Sequence, residues 1–145
     1  MTMTMKIVVG VDGSEPAHRA LEWCASHAPA LDAEVIAVHA IEMPVITDAT
    51  TFAFSFPQLS LADRERMHEV VEKTWCEPLT KAGVRFRAVV VEGNPSLVIM
   101  ETAKSEGAEL IVTGRRGRGA FTEFLLGSTS NALTHLADRP LVIIP

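Results

Sequence analysis

Between residues 114 and 130 the chain concentrates groups that bind anions. Gly114, Arg115, Arg116, Gly117, Arg118 and Gly119 run together, and a short stretch later come Gly127, Ser128, Thr129 and Ser130. Glycines let backbone amides approach phosphate oxygens without an intervening side chain. Hydroxyls can donate as well, and guanidinium groups offset the charge of a polyphosphate. A helix opening near Ser128 would add the unsatisfied N–H groups and favourable dipole of its amino end. Glycines alone can serve tight turns and arginines alone can keep a loop soluble. Their occurrence together, between a strand end and a helix start, points instead to an anion site. A second candidate is Asp12-Gly13-Ser14. Asp12 can accept hydrogen bonds from ribose hydroxyls or help hold a hydrated magnesium ion; it can equally form an Asx turn that caps the following helix.

These residues need a frame that brings them together. Residues 6–11 form a continuous apolar run, as expected of a strand buried on both faces. Ala17, Ala20, Leu21, Cys24, Ala25 and Ala28 then recur at three- and four-residue steps, which places them on one face of a helix that Ser14 can cap and Pro16 can start. Residues 34–40 read as a second strand, 60–82 as one long polar-faced helix, 85–91 as a third strand, 96–106 as a helix begun by Asn94-Pro95, 110–113 as a fourth strand, 128–136 as the last helix and Leu141–Ile144 as a fifth strand. In residues 41–57 the pattern weakens to a loop, where Phe52, Phe54 and Phe56 alternate; they can cover a ligand, or pack the loop onto the body or a second subunit. Alternating strands and helices predict an α/β fold, a doubly wound parallel sheet of five strands with helices on both faces, as a single domain over residues 1–145. In such folds ligands sit at the carboxyl ends of the strands, where both candidate segments fall.

The 145 residues suffice for one core, burying roughly 70% of the surface of the unfolded chain. With 48% hydrophobic residues, 21% charged residues and a net charge of -5, the composition is that of a soluble globular protein without general affinity for polyanions. Cys24 and Cys76 lack the close spacing of metal or redox pairs and are expected to be buried free thiols. The opening residues MTMTMK hold no apolar run long enough for a signal peptide, and no stretch approaches the roughly 20 apolar residues that span a bilayer. A cytoplasmic protein with no membrane partner is therefore expected. There is no low-complexity tract or internal repeat.

Gly114-x-x-Gly117, nine residues, then Gly127-Ser128 resembles the G-x-x-G-x9-G-[ST] ATP-binding motif of the universal stress protein family. The resemblance extends over nearly the whole chain, through the opening IVVGVDGSEPAHRAL, the VIAVHAIE segment, the VEGNP turn and the terminal RPLVIIP. Members that do not bind ATP generally lack the glycine motif, which this chain keeps. The resemblance implies that Asp12 approaches the ribose or a magnesium ion on the phosphates, and that Val11 and Ala40 lie near the adenine. Ala40 is smaller than the valine often found there. It further implies that Gly114, Arg116, Gly117, Gly127, Ser128, Thr129 and Ser130 surround the ribose and phosphates. A homodimer joined through Leu141 to Ile144 is implied too, and an apolar strand at a sheet edge gives a physical reason for one, since an open edge invites aggregation unless a symmetry mate covers it.

The expected function is therefore a nucleotide-holding homodimer in stress response or signalling, with ATP the first candidate and cyclic AMP or another adenine nucleotide also able to fit. A slow ATPase and a dimeric interaction module without nucleotide are the alternatives. No catalytic residue is assigned: the pattern G-x-x-x-x-G-K-[ST] is absent, and the run from Gly117 to Thr122 lacks the third glycine of a dinucleotide fingerprint. His39, at the end of the second strand, is expected to be buried and hydrogen-bonded rather than a general base, and His135 has a plain helical setting. Nucleic acid is not an expected partner, given the acidic net charge and the absence of aromatics among the arginines.

Overall fold

The apolar run near the amino end becomes the central strand of a five-stranded parallel sheet in the computed structural model, which describes residues 4–42, 59–116 and 126–145. The strands are β1 (Met5–Gly10), β2 (Ala33–Ile41), β3 (Phe86–Glu92), β4 (Leu110–Gly114) and β5 (Leu141–Ile144), in the order β3-β2-β1-β4-β5. Register runs from Met5↔Ala33 to Gly10↔Val38 on one side of β1 and from Ile7↔Leu110 to Val9↔Val112 on the other. Because β1 is paired on both edges and covered on both faces, its side chains feed two cores in alternation. Ile7 and Val9 pack with Leu21, Cys24, Val35 and Val112, whereas Val8 packs with Ile36, Ile99, Ile111 and Leu133.

Helix α1 (Glu15–Leu31) covers the first face. The Ser14 hydroxyl accepts the Ala17 amide at 3.3 Å, Pro16 occupies the first turn, and the buried residues are Ala17, Ala20, Leu21, Cys24 and Ala28, as the periodicity predicts. The segment expected to be one long helix is divided into α2 (Leu61–Glu69), a π-helical stretch (Val70–Trp75) and α3 (Glu77–Lys81). Pro78 supplies the reason. It has no N–H to give to the carbonyl four residues back, and its ring crowds that carbonyl, so a regular α pattern is disfavoured there and Pro78 stands instead in the first turn of α3. The chain takes up the slack with a wider turn, in which the Cys76 amide reaches the Val71 carbonyl at 3.0 Å. Helices α4 (Pro95–Glu106), capped by Asn94, and α5 (Ser128–Leu136) cover the opposite face.

Both cysteines are buried free thiols, as expected, and burial pushes each thiol up to about 12. Strand β5 lies at a sheet edge, with all four of its residues half-buried. No helix among the described residues is long and apolar enough to cross a membrane.

Candidate functional site

The chain leaves β1 toward β2 and β3 on one side, then returns to fill β4 and β5 on the other. Connections therefore depart in opposite directions at the carboxyl ends of β1 and β4, and a crevice opens where they part. A cavity of about 1050 Å³ occupies this place. Val11 and Asp12 line it from the end of β1, Ala40 from β2, Gly114 and Arg116 from β4, and Gly127, Ser128, Thr129 and Ser130 from the start of α5. Every site residue expected from sequence that falls among the described residues thus meets in one cavity. Gly117 lies outside the described residues, as do Arg118, Gly119 and the Phe52, Phe54 and Phe56 segment.

The turn after β1 satisfies both readings of Asp12. Its Oδ1 accepts the Ser14 amide at 2.9 Å, which is an Asx turn feeding the cap of α1, and the residue still lines the cavity. Gly13 between them has φ 80°, a left-handed conformation that a side chain would strain. Gly114 is demanded by packing: a Cβ there would stand 2.7 Å from the Pro16 carbonyl carbon and 2.9 Å from its oxygen. Strand β4 and the first turn of α1 approach this closely because position 114 has no side chain.

The described ends of the glycine-rich segment are tied together by one carbonyl. The oxygen of Arg115 accepts the Gly127 amide at 2.8 Å and the Ser130 hydroxyl at 2.5 Å, while the Arg115 amide donates to Ile144 of β5 at 2.6 Å. Ser130 is only 1% exposed, and its proton is spent on this tie, so it positions the loop whatever else it does. Among the described residues Ser128 and Thr129 carry no such commitment in the cap. Gly127 is the N-cap of α5 and has no side chain with which to satisfy the amides of the first turn. That end of the helix can therefore offer N–H groups and a positive dipole to an anion.

Sequence reasoning missed the opposite wall. Leu59, Asp63, Arg66, Met67 and Val70 line the cavity from α2 and its approaches. Their helix begins with a capping box in which Ser60 and Asp63 bond reciprocally, and hydrogen bonds from Ser60 and Arg66 hold the Asp63 carboxyl below its ordinary value. The S-x-x-D spacing marks the helix start, but no local signal says which way the helix faces. His39 also reaches the cavity: its Nδ1–H donates to the Val11 carbonyl at 2.8 Å, and its ring meets Trp75 edge-on at 5.0 Å between centroids. The hydrogen bond is the one expected from sequence, but His39 is half-buried rather than buried, because it reaches the open cavity. His135 is exposed on α5. Among the described residues no group of three or more His, Cys, Asp or Glu side chains is arranged to hold a metal ion.

Comparison with known proteins adds the lineage. The sequence model of the universal stress protein family matches residues 3–145. A universal stress protein of Thermus aquaticus is 33% identical over 143 residues, covering 98% of this chain and 99% of that protein. One from Mycobacterium tuberculosis is 32% identical over 152 residues, covering 96% of this chain but 47% of the relative. The chain thus spans about half the length of several curated relatives it matches. Among solved structures, universal stress protein UspA of Lactobacillus plantarum superposes with a TM-score of 0.80 at 19% identity over the whole of both chains. A universal stress protein of Archaeoglobus fulgidus in complex with dAMP gives 0.72 at 22% identity, covering 99% of this chain and all of that one. A universal stress protein in complex with cAMP gives 0.69 at 22% identity, covering 99% and 98%. These likenesses establish the fold.

Proposed function

The chain belongs to the universal stress protein family, and from that premise we propose that its cavity holds an adenine nucleotide, ATP first, in a homodimer that acts in stress response or signalling. The observation that carries this reading is convergence. Asp12, from the end of β1, and the segment that holds Gly114, Arg116 and Gly127 to Ser130 are about a hundred residues apart in sequence, yet they line one cavity of about 1050 Å³, at the upper end of the range for small-molecule sites.

The chemistry of the lining suits such a ligand. The uncapped start of α5, with the Ser128 and Thr129 hydroxyls and Arg116, is suited to polyphosphate oxygens. Asp12 is suited to ribose hydroxyls, and the apolar side chains of Val11, Ala40 and Ile41 to the face of a base. Gly117 completes the motif by the family resemblance. A magnesium ion would take Asp12 as a ligand and draw its others from phosphate and water; its chemistry there would be charge neutralisation. Arg116 and the α5 amides would share that task. The reading is of a holder rather than a rapid hydrolase, since among the described residues no partnered nucleophile can be named beside His39.

The homodimer follows from β5, whose apolar residues stay half-buried at a sheet edge that a symmetry mate can cover. A cytoplasmic location agrees with two buried thiols left unoxidised. The test is calorimetric titration of nucleotide-stripped protein with ATP and magnesium. Saturable binding supports the reading, and no heat with a folded protein returns the function to a dimeric interaction module.

A further inference from the structure

The β1–β2 ladder ends at a particular bond. Val11 N–H donates to Val38 O at 2.9 Å, which sets the phase of the pairing. Backbone groups along a strand alternate sides, so Val38 faces β1, His39 faces β3 and Ala40 faces β1 again. Strand β2 remains regular here, since His39↔Val90 and Ala40↔Val91 continue its register with β3. The next bond toward β1 would run from Ala40 N–H to the Val11 carbonyl. Among the described residues that bond is not made; the Val11 carbonyl accepts from His39 Nδ1 instead, at 2.8 Å. A carbonyl can only accept, so Nδ1 carries the proton. The edge-on contact with Trp75 fixes the ring. Ala40, with its amide directed to the β1 side beyond the end of that strand, lines the cavity.

We propose that His39 is a positioning residue of the nucleotide site: its ring N–H occupies the Val11 carbonyl that the sheet would otherwise give to Ala40, and so keeps the Ala40 amide available to an acceptor atom on the ligand base. The inference rests on the reading of the cavity as an adenine-nucleotide site. Its structural half starts from what the free protein shows, the ring N–H and not the Ala40 amide on the Val11 carbonyl, and whether the one keeps out the other is measured there.

The experiment compares wild type with His39→Phe, His39→Asn and His39→Gln. Phenylalanine keeps a ring against Trp75 but has no N–H, asparagine places an amide N–H near the position of Nδ1, and glutamine places one near Nε2. Amide exchange of Ala40 is followed by nitrogen-15 NMR in nucleotide-stripped protein, and ATP affinity by calorimetry. In His39→Phe the Ala40 amide should join the ladder, exchange about tenfold more slowly, and ATP should bind about tenfold more weakly, the value of one hydrogen bond. His39→Asn should restore both to within about threefold of wild type, and His39→Gln should not. Should His39→Phe fail to fold, the asparagine and glutamine pair carries the test. Unchanged Ala40 exchange in His39→Phe, or equal losses in His39→Asn and His39→Gln, overturns the proposal. If wild type binds no ATP, the nucleotide reading fails separately, and the exchange comparison alone decides whether His39 holds the amide free.

Discussion

Replacing Gly127 with valine separates the fold from the proposed site. Gly127 is the N-cap of α5 with φ -68° and ψ 167°, extended backbone that valine adopts without strain. Its amide bond to the Arg115 carbonyl at 2.8 Å uses only backbone and survives the change. Valine is a poorer cap than glycine, which costs about 1 kcal/mol, or about 4 °C in Tm for a chain of this size. The effect on ligand should be far larger. A branched side chain at the mouth of the helix would deny phosphate two amides of the first turn, each charge-assisted bond contributing about 1.5–3 kcal/mol. The sum corresponds to at least a hundredfold loss of ATP affinity. Calorimetry with ATP and magnesium reads the loss, and circular dichroism melting reads the stability. Binding within about threefold of wild type in a folded Gly127→Val protein would refute the placement of phosphate at α5. Unfolding at 25 °C would refute the reading that valine fits the extended backbone at Gly127 without strain.

Other expectations follow from the packing. Gly114→Ala drives a Cβ to 2.7 Å from Pro16 backbone and should cost about 1–3 kcal/mol, seen as a lower urea midpoint; an unchanged midpoint would mean that β4 and α1 are not locked there. Cys24 and Cys76 should resist a thiol reagent at pH 8 in the native protein and react on unfolding. Their thiols are raised from 9.0 to about 12 in the fold, so the unfolded chain releases these protons first. Their contribution to stability is accordingly complete below about pH 9 and falls as pH rises toward 12, which urea titrations across that range would register. Sedimentation at micromolar concentration should give a dimer through β5, and a monomer alone would remove the homodimer from the proposal.

Strands and helices were legible where the signal is local. The run through Ile7, Val8 and Val9 is apolar on both faces, and the structure buries both faces; the spacing of Ala17, Leu21, Cys24 and Ala28 is helical, and those residues face the core. The glycine, arginine and hydroxyl segment was legible for the same reason, because phosphate chemistry needs its groups close together in sequence at a helix start. The break at Cys76 was not, although Pro78 announces it, since periodicity carries across a single wide turn. Nor was the wall made by Asp63, Arg66 and Met67, whose orientation depends on how α2 lies over β3. Most instructive are Ser130 and His39. Their types say that each can donate a proton, but not to what: the acceptors are the carbonyls of Arg115 and Val11, 15 and 28 residues away.

The most direct test is to denature freshly purified protein, identify any released small molecule by liquid chromatography with mass spectrometry, and titrate the stripped protein with ATP and magnesium. The account predicts an adenine nucleotide in the released fraction, or binding with a Kd near micromolar, equivalent to about -8.2 kcal/mol. A folded protein that releases no nucleotide and gives no heat with ATP would contradict it.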